Sequence, residues 1–267
     1  MKMTSSLLAA ALMLALPMGG ALACTVGNWN GANTATDADS GGPDVNIARY
    51  SGVCALSVGS GDYVIDNSPN AEGKYRARFY VLTGNGNATI FKATASDDGG
   101  GASVIEVTYN GSAFAFSQNG SAVGTVNAAQ NKWDSVEMAY ESGTSFNAWV
   151  WGAGSSTEVG SVSGVAGAGT VSSAMLGISN GSVTSNFNFD AFESTRGDDR
   201  IPRLCRGNTN TDTVRSILDI SAILAEMRGA AIANGQPDAN EDGKVSILDV
   251  SQILGWMADS EASCPAS

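Results

Sequence analysis

Residues 238–249 read Asp-Ala-Asn-Glu-Asp-Gly-Lys-Val-Ser-Ile-Leu-Asp, and the organisation of the C-terminal part of the chain follows from this stretch. Oxygen-bearing side chains stand at positions one, three, five, nine and twelve of this loop: Asp238, Asn240, Asp242, Ser246 and Asp249. Lys244 at position seven needs to offer only its backbone carbonyl, and Gly243 at position six permits a sharp turn. Hard oxygen ligands at this spacing predict a calcium-binding loop.

A weaker copy of this loop lies thirty residues upstream. An ungapped shift places oxygen-bearing side chains under the same five positions: Asn208, Asn210, Asp212, Ser216 and Asp219. Val214 then offers its carbonyl at position seven, and Arg215 stands at position eight, where an apolar residue is usual. Because Asn208 removes a negative charge and Thr213 replaces the glycine, we expect the first loop to bind Ca²⁺ more weakly than the second. An acidic turn that binds no metal is the alternative for each loop, and it is stronger for the first.

Each loop leads into a segment whose apolar residues recur at helical spacing. The two sets are Ile217, Ile220, Ile223, Leu224 and Met227, and Ile247, Val250, Ile253, Leu254 and Met257. Neither helix can bury its apolar side alone, so we expect the two helices to pack against each other. Antiparallel helices bring the ends of the duplicated unit together, which predicts a disulfide between Cys205 and Cys264.

Two tandem loop–helix units with Asp, not Glu, at position twelve resemble the dockerin module of cellulosomal and other secreted bacterial proteins. The resemblance covers residues 205–264. It implies a small α-helical module with two EF-hand-type calcium loops, which docks onto a cohesin domain of a scaffold protein in systems that degrade polysaccharides. In that family, loop positions ten and eleven help to select the cohesin; here they are Ile217-Leu218 and Ile247-Leu248. These apolar pairs are either a docking face or part of the core.

The N-terminus has the features of a secretion signal over residues 1–23. Lys2 gives the positive start, residues 7–17 the apolar stretch, and Ala21-Leu22-Ala23 a small-residue cleavage site. No other segment approaches the ~20 apolar residues of a transmembrane helix. We therefore expect an exported protein, secreted or in the cell envelope. Lipidation at Cys24 is less favoured, because lipoprotein signals usually carry Leu where this chain has Ala21.

Cleavage would leave four cysteines in an oxidising compartment. After the Cys205–Cys264 pair, sequence order suggests a second disulfide between Cys24 and Cys54.

The charge and composition exclude several chemistries. The net charge is −12 and the chain has no histidine. Nucleic-acid binding needs a basic surface, which this composition does not supply. A Ser-His-Asp triad, a Cys-His pair and a His-ligated zinc site each need the residue that is missing.

Residues 24–196 have the pattern of an antiparallel β-sandwich. Asn-Gly pairs at 85–86, 110–111, 119–120 and 180–181 predict tight turns. Alternating segments predict strands over 74–81, 103–109, 135–140, 146–151 and 187–192. This pattern resembles the laminin-G or concanavalin-type jelly roll, which implies a lectin or carbohydrate-binding module and sometimes a glycosidase. The charged stretch 197–204 is interpreted as a linker to a dockerin-like calcium module over 205–267.

A candidate carbohydrate site lies on the polar faces of two predicted strands. Alternation points Trp149 and Trp151 away from the aliphatic face of their strand, and sets Arg76 and Arg78 on one face of another. If both faces belong to one sheet, the rings and cations would suit an acidic glycan. Buried tryptophans and a solvated arginine row are the alternative.

The sequence therefore favours a secreted, non-catalytic protein that binds a carbohydrate or a surface and is attached through a calcium-dependent module. A glycoside hydrolase is the first alternative, but it needs two carboxylates, and only Glu137 and Glu141 suggest a pair. A structural or adhesive matrix protein is the second. We expect chelation of Ca²⁺ to unfold residues 205–264 and to leave the sandwich intact.

Overall fold

The computed structural model describes residue 26 and residues 29–39, 49–128, 132–152, 158–259, 261 and 263–264. The predicted signal peptide (residues 1–23) and Cys24 lie outside these residues. Within these described ranges, fourteen strands are followed by two helices. Their bounds are β1 Gly31–Asn33, β2 Thr36–Asp39, β3 Cys54–Val58, β4 Tyr63–Asp66, β5 Lys74–Leu82, β6 Gly86–Thr94, β7 Ser103–Tyr109, β8 Ala113–Gln118, β9 Ser121–Asn127, β10 Trp133–Glu141, β11 Ser145–Trp151, β12 Gly160–Gly164, β13 Ser173–Val183, β14 Phe187–Thr195, α1 Ile217–Met227 and α2 Ile247–Ala258.

The strands form two seven-stranded antiparallel sheets. The first sheet has the order β1-β4-β13-β6-β7-β8-β9, and the second has the order β12-β11-β10-β5-β14-β3-β2. Each strand predicted from alternation is present, because its apolar residues face the other sheet and its polar residues face outward. The prediction of a mainly β chain with an antiparallel sandwich is confirmed.

The Asn-Gly pairs at 110–111 and 119–120 join paired antiparallel strands, as predicted. In the second of these pairs, Asn119 and Gly120 both have positive φ, which a type I′ turn requires. The hairpin predicted at Asn85-Gly86 is wrong, because the chain passes there from β5 of the second sheet to β6 of the first, which begins at Gly86. The turn predicted at Asn180-Gly181 is wrong, because this pair lies within β13 at a β-bulge. A Cβ at Gly181 would lie 2.3 Å from the carbonyl oxygen of Asn87, so glycine is needed there for a close approach of two strands.

The core fills the space between the two sheets. Phe79 from the second sheet stacks on Phe91 from the first with 5.7 Å between ring centroids, and Phe189 lies beside Phe79 at 5.9 Å. All three rings are fully buried. Each contributes about 1.5–3 kcal/mol by leaving water, so this aromatic layer holds the sheets together.

Residues 205–264, called the C-terminal unit below, contain the two helices. Ser216 and Ser246 cap the helix N-termini, and Asp219 and Asp249 complete the capping boxes. Ile220 and Ile223 of α1 pack in one cluster with Val250 and Ile253 of α2. The predicted packing of the two helices is therefore confirmed.

The Cys205–Cys264 disulfide is also confirmed, with a Cα–Cα distance of 5.4 Å. Cys54 is disulfide-bonded as well, while the predicted pairing with Cys24 lies outside the described residues. Neither α1 nor α2 has the length and apolar character needed to cross a bilayer, and the described part of the chain contains no other candidate.

Candidate functional site

The second loop (residues 238–249) folds around two buried carboxylates. Asp238 accepts hydrogen bonds from the backbone N–H groups of Asp242 (3.1 Å) and Gly243 (2.8 Å). Asp249, at the start of α2, accepts from the N–H groups of Ser246 (2.7 Å) and Asn240 (3.2 Å). The chain can curl this tightly because Gly243 has φ of +89°. The carboxylates at loop positions one and twelve are thereby held inside the curve of the loop backbone.

The second loop concentrates negative charge. Burial raises the pKa of Asp238 to about 8, and the neighbouring charge of Asp249 adds to this effect. Burial also raises the pKa of Asp249, and the charge of Asp242 contributes. Among the described residues, no Lys or Arg forms an ion pair with these three carboxylates. A bound cation would relieve this repulsion, so the donor set fits a hard metal ion such as Ca²⁺.

The first loop (residues 208–219) has the same plan with one orphaned oxygen. Asp219 accepts from the N–H groups of Thr209 (2.8 Å) and Ser216 (2.7 Å), as Asp249 does in the second loop. Asn208 at position one is buried, and its Oδ1 has no hydrogen-bond partner. An unpaired buried oxygen at this position fits a metal ligand.

The remaining predicted ligands lie nearer to the surface. The Asn240 amide donates to Asp242 at 3.0 Å, and the Asn210 amide donates to Asp212 at 2.9 Å. In the described part of the chain, no group of three or more His, Cys, Asp and Glu side chains is arranged to hold a metal. Each loop instead combines carboxylates with amide, hydroxyl and backbone oxygens, including the carbonyls predicted at Val214 and Lys244.

The first loop departs from the second at positions six and eight. Thr213 does not share the positive φ of Gly243, and its carbonyl accepts from the Cys264 N–H at 3.1 Å. The buried Arg215 guanidinium donates to the carbonyls of Arg206 (2.6 Å) and Glu261 (2.7 Å). Arg215 thus ties the start of the C-terminal unit to its end, beside the disulfide, which explains why a charged residue occupies this position.

The apolar residues of α1 and α2 do not all enter the core. Loop positions ten and eleven are largely exposed: Ile217 61%, Leu218 62%, Ile247 56% and Leu248 57%. Leu224, Leu254 and Met257, which were expected in the buried stripe, are also exposed. Of the two interpretations open for positions ten and eleven, a core position does not fit, since each helix has a second apolar face that is turned to solvent.

The second sheet brings the four predicted carbohydrate-binding residues onto one face. Glu137 of β10 stands opposite Arg78 of β5 and opposite Trp149 of β11. Arg76 and Trp151 lie two residues along their strands, so they share this outer face. The condition that both polar faces belong to one sheet is therefore met. Arg76 and Arg78 are buried, and the two tryptophans are half-buried.

Residues 197–204, called the strap below, cover this outer face. The Arg200 guanidinium lies 3.7 Å from the ring centroid of Trp149 and 4.6 Å from that of Trp151. The strap is fixed by side chains of the sheet: Arg78 donates to the Pro202 carbonyl, and the Tyr80 hydroxyl accepts from the Leu204 N–H at 2.8 Å. The sequence does not assign strap residues to any site, because the strap contacts β5, β10 and β11, which are distant from it in the sequence.

The positive charges of the outer face are neutralised within the protein. Arg76 pairs with Glu137 at 2.9 Å and Arg78 pairs with Glu193 at 3.2 Å. Glu137 is itself buried and also accepts from Arg200 (2.7 Å) and from the Ile201 N–H (3.1 Å). Its carboxylate therefore serves to hold the strap, and the described geometry provides no open pair of carboxylates with Glu141 for glycoside hydrolysis.

No protein-family model matches the chain, and no curated protein matches it. Solved structures similar to it include the receptor-binding domain of botulinum neurotoxin type G, with 13% identity, a TM-score of 0.45, and coverage of 64% of this chain and 43% of that one. A cellulose induced protein, Cip1, shows 11% identity and a TM-score of 0.46 over 65% of this chain and 91% of that one. The botulinum neurotoxin serotype D binding domain shows 13% identity and a TM-score of 0.40 over 62% of this chain and 43% of that one. The chain thus spans less than half the length of these neurotoxin domains.

Proposed function

We propose that this protein is a secreted, calcium-dependent binding protein, in which a dockerin-like C-terminal unit attaches a β-sandwich to a protein partner. The observation that carries the proposal is the duplicated loop–helix unit, with buried carboxylates inside the second loop and exposed apolar pairs at positions ten and eleven of both loops. The structural neighbours carry no part of it.

Calcium binding is supported by the donor set of both loops. Asp238 and Asp249 are buried without an ion pair to a basic residue among the described side chains, and the Asn208 Oδ1 has no partner. Bound Ca²⁺ would supply the missing positive charge and would fix the loop backbone. The second loop should bind more tightly, because Gly243 permits its turn and Asp238 adds a charge that Asn208 lacks.

Calorimetric titration of the full-length protein with CaCl₂ tests this assignment. We expect Asp242→Ala to weaken the tighter site by at least tenfold and Asn208→Ala to change only the weaker one. Asp66→Ala is the matched control, because it removes a carboxylate from β4 of the sandwich. Equal effects of the two loop substitutions would contradict the ranking, and no calcium heat at all would contradict the proposal.

Partner docking is supported by the exposed pairs Ile217-Leu218 and Ile247-Leu248. Apolar side chains this exposed on both helices form the kind of surface that protein partners bury. The partner class that the resemblance implies is a cohesin-type domain of a scaffold protein. Surface plasmon resonance against a panel of such domains, with Ca²⁺ and with chelator, tests it.

Loss of binding on Leu218→Asp together with Leu248→Asp, with the helical circular dichroism unchanged, is the expected result. The control is Ala230→Asp together with Ala231→Asp, which adds the same charge at exposed positions beyond the C-terminal end of α1. Failure of every cohesin-type domain to bind in Ca²⁺ would refute this part of the proposal.

Polysaccharide binding by the sandwich is a second candidate, supported by the two half-exposed rings of Trp149 and Trp151 on one face. A sugar ring would have to displace Arg200 to stack on them. We therefore expect Arg200→Ala to raise retention on a polysaccharide affinity gel, and Arg200→Ala with Trp149→Ala to abolish the gain. No retention of either the native protein or Arg200→Ala would favour a structural or adhesive role.

A further inference from the structure

We infer that the C-terminal unit and the sandwich form one cooperative folding unit, and that Ca²⁺ occupancy of the second loop is transmitted to the sandwich through the hydrogen bond between Glu241 and Tyr50. This rests on the calcium assignment proposed above. It replaces the sequence-based expectation of a module that unfolds by itself on chelation.

The contact between loop and sandwich is direct. Glu241 is position four of the second loop, and its carboxylate accepts a hydrogen bond from the Tyr50 hydroxyl at 2.6 Å. Both side chains are buried. Burial and the charge of Glu241 raise the pKa of Tyr50 well above its usual value, so the hydroxyl remains a donor throughout the working pH range. The bond is therefore a buried, charge-assisted one.

Glu241 is placed to follow the shape of the loop. It lies between two predicted ligands, Asn240 and Asp242, and has φ of +54°. Its own N–H donates to the Asp238 carbonyl at 3.2 Å. Asp238, Asn240 and Asp242 must converge on one Ca²⁺ ion. Any change in the curvature of the loop when the ion binds therefore moves the backbone that carries Glu241.

Tyr50 carries this change into the sandwich. Its ring stacks on Tyr80 of β5 at 3.8 Å between centroids and meets Trp133 of β10 edge-on at 5.8 Å. The same segment is anchored through Asp190 of β14, which accepts from the N–H groups of Tyr50 (2.7 Å) and Ser51 (2.8 Å). Three strands of the second sheet therefore contact the residue that holds the loop.

Two further contacts join the C-terminal unit to the sandwich. The buried Arg49 guanidinium pairs with Glu226 in the last turn of α1 at 2.5 Å. The Gly52 N–H donates to the Gly235 carbonyl at 3.1 Å. If the C-terminal unit moved freely on a hinge, these groups would be exposed to water. In the structure they bond to each other, so separating the two units would expose a charge pair and two backbone groups.

Differential scanning calorimetry of the full-length protein, with chelator and with CaCl₂, tests the inference. We expect a single transition that Ca²⁺ raises as a whole, by about 5–10 °C at a hundredfold excess over Kd. Tryptophan fluorescence of a Trp256→Phe variant, which leaves tryptophans only in the sandwich, should report the same midpoint as the helical signal. Tyr50→Phe, which removes only the hydroxyl, should reduce the Ca²⁺-induced shift by at least half and weaken calcium binding by up to about tenfold, because the coupling is reciprocal.

Tyr63→Phe on β4 of the first sheet is the matched control and should leave the shift unchanged. Two separate transitions, of which Ca²⁺ moves only one, would overturn the inference while leaving calcium binding intact. A Ca²⁺-induced rise in the transition temperature of Tyr50→Phe that equals that of the native protein would also overturn the inference. If calorimetric titration detects no bound Ca²⁺, the proposed function fails, and this inference fails with it.

Discussion

Breaking the ion pair between Arg49 and Glu226 tests whether the two units are held together by buried charge. Glu226 accepts from Arg49 at 2.5 Å and from the Ala233 N–H at 2.9 Å. Glu226→Gln keeps the shape and removes the charge, which leaves the guanidinium buried without this partner. Removing one member of a buried pair costs about 3–5 kcal/mol. We expect the lower part of that range, because Asp190 also attracts Arg49.

A loss of about 3 kcal/mol lowers the Tm by roughly 6–12 °C for a chain of this size. Urea unfolding followed by both tryptophan fluorescence and far-ultraviolet circular dichroism measures it. The matched control is Glu193→Gln, since Glu193 pairs with Arg78 but is 55% exposed, so its loss should cost at most about 1 kcal/mol. Equal effects of the two substitutions would refute the claim that burial of the Arg49–Glu226 pair matters.

Three further outcomes are expected. Cys264→Ser should destabilise the protein by about 4 kcal/mol, because the disulfide joins residues that are 59 positions apart; urea unfolding of the variant and of the native protein, both without reductant, measures it. With chelator present, the free energy of unfolding should fall as the pH rises from about 4 to 8, because Asp238 has a folded pKa of about 8 against about 3.9 unfolded. Calcium affinity should rise over the same range, since Ca²⁺ displaces the proton, and a flat titration would contradict this. Arg200→Ala should shift the emission of Trp149 and Trp151 to the red by exposing their rings, whereas the neighbouring Asp199→Ala should not.

The sandwich could be predicted because its signals are local. The alternation of apolar and polar residues over a short stretch predicts each strand, and the Asn119-Gly120 pair predicts the turn in which it lies. The pair at Asn180-Gly181 misled for a physical reason. Asn-Gly marks positive φ, and β13 needs positive φ at Gly181 for a close approach to the backbone of Asn87 and Ala88, not for a reversal of the chain. The Asn-Gly pair correctly indicated positive φ at Gly181, but both hairpin turns and close contacts between strands require positive φ.

The outer face and the unit junction could not be predicted, because they depend on contacts across long sequence separations. Trp149 and Trp151 were correctly placed on one face, but nothing near them in the sequence shows that Arg200 lies over their rings. Glu226 stands among the apolar residues of α1, and its partner Arg49 lies 177 residues away. Arg215 was recognisable as unusual, because a charged residue at an apolar position of a repeat needs a polar partner. The sequence does not show that its partners are the carbonyls of Arg206 and Glu261.

The differences between the two loops form a division of labour. Position eight of the second loop is Val245, which packs in the helical core, whereas Arg215 in the first loop binds backbone carbonyls at both ends of the unit. Position four of the second loop is Glu241, which binds the sandwich, whereas the first loop has Thr211 there. Neither position is a predicted ligand, so each loop keeps its donor set while the side chain at that position makes a different contact. The first copy has therefore become the clasp of the unit and the second its contact with the sandwich, and this is why we place the coupling of metal to sandwich in the second loop.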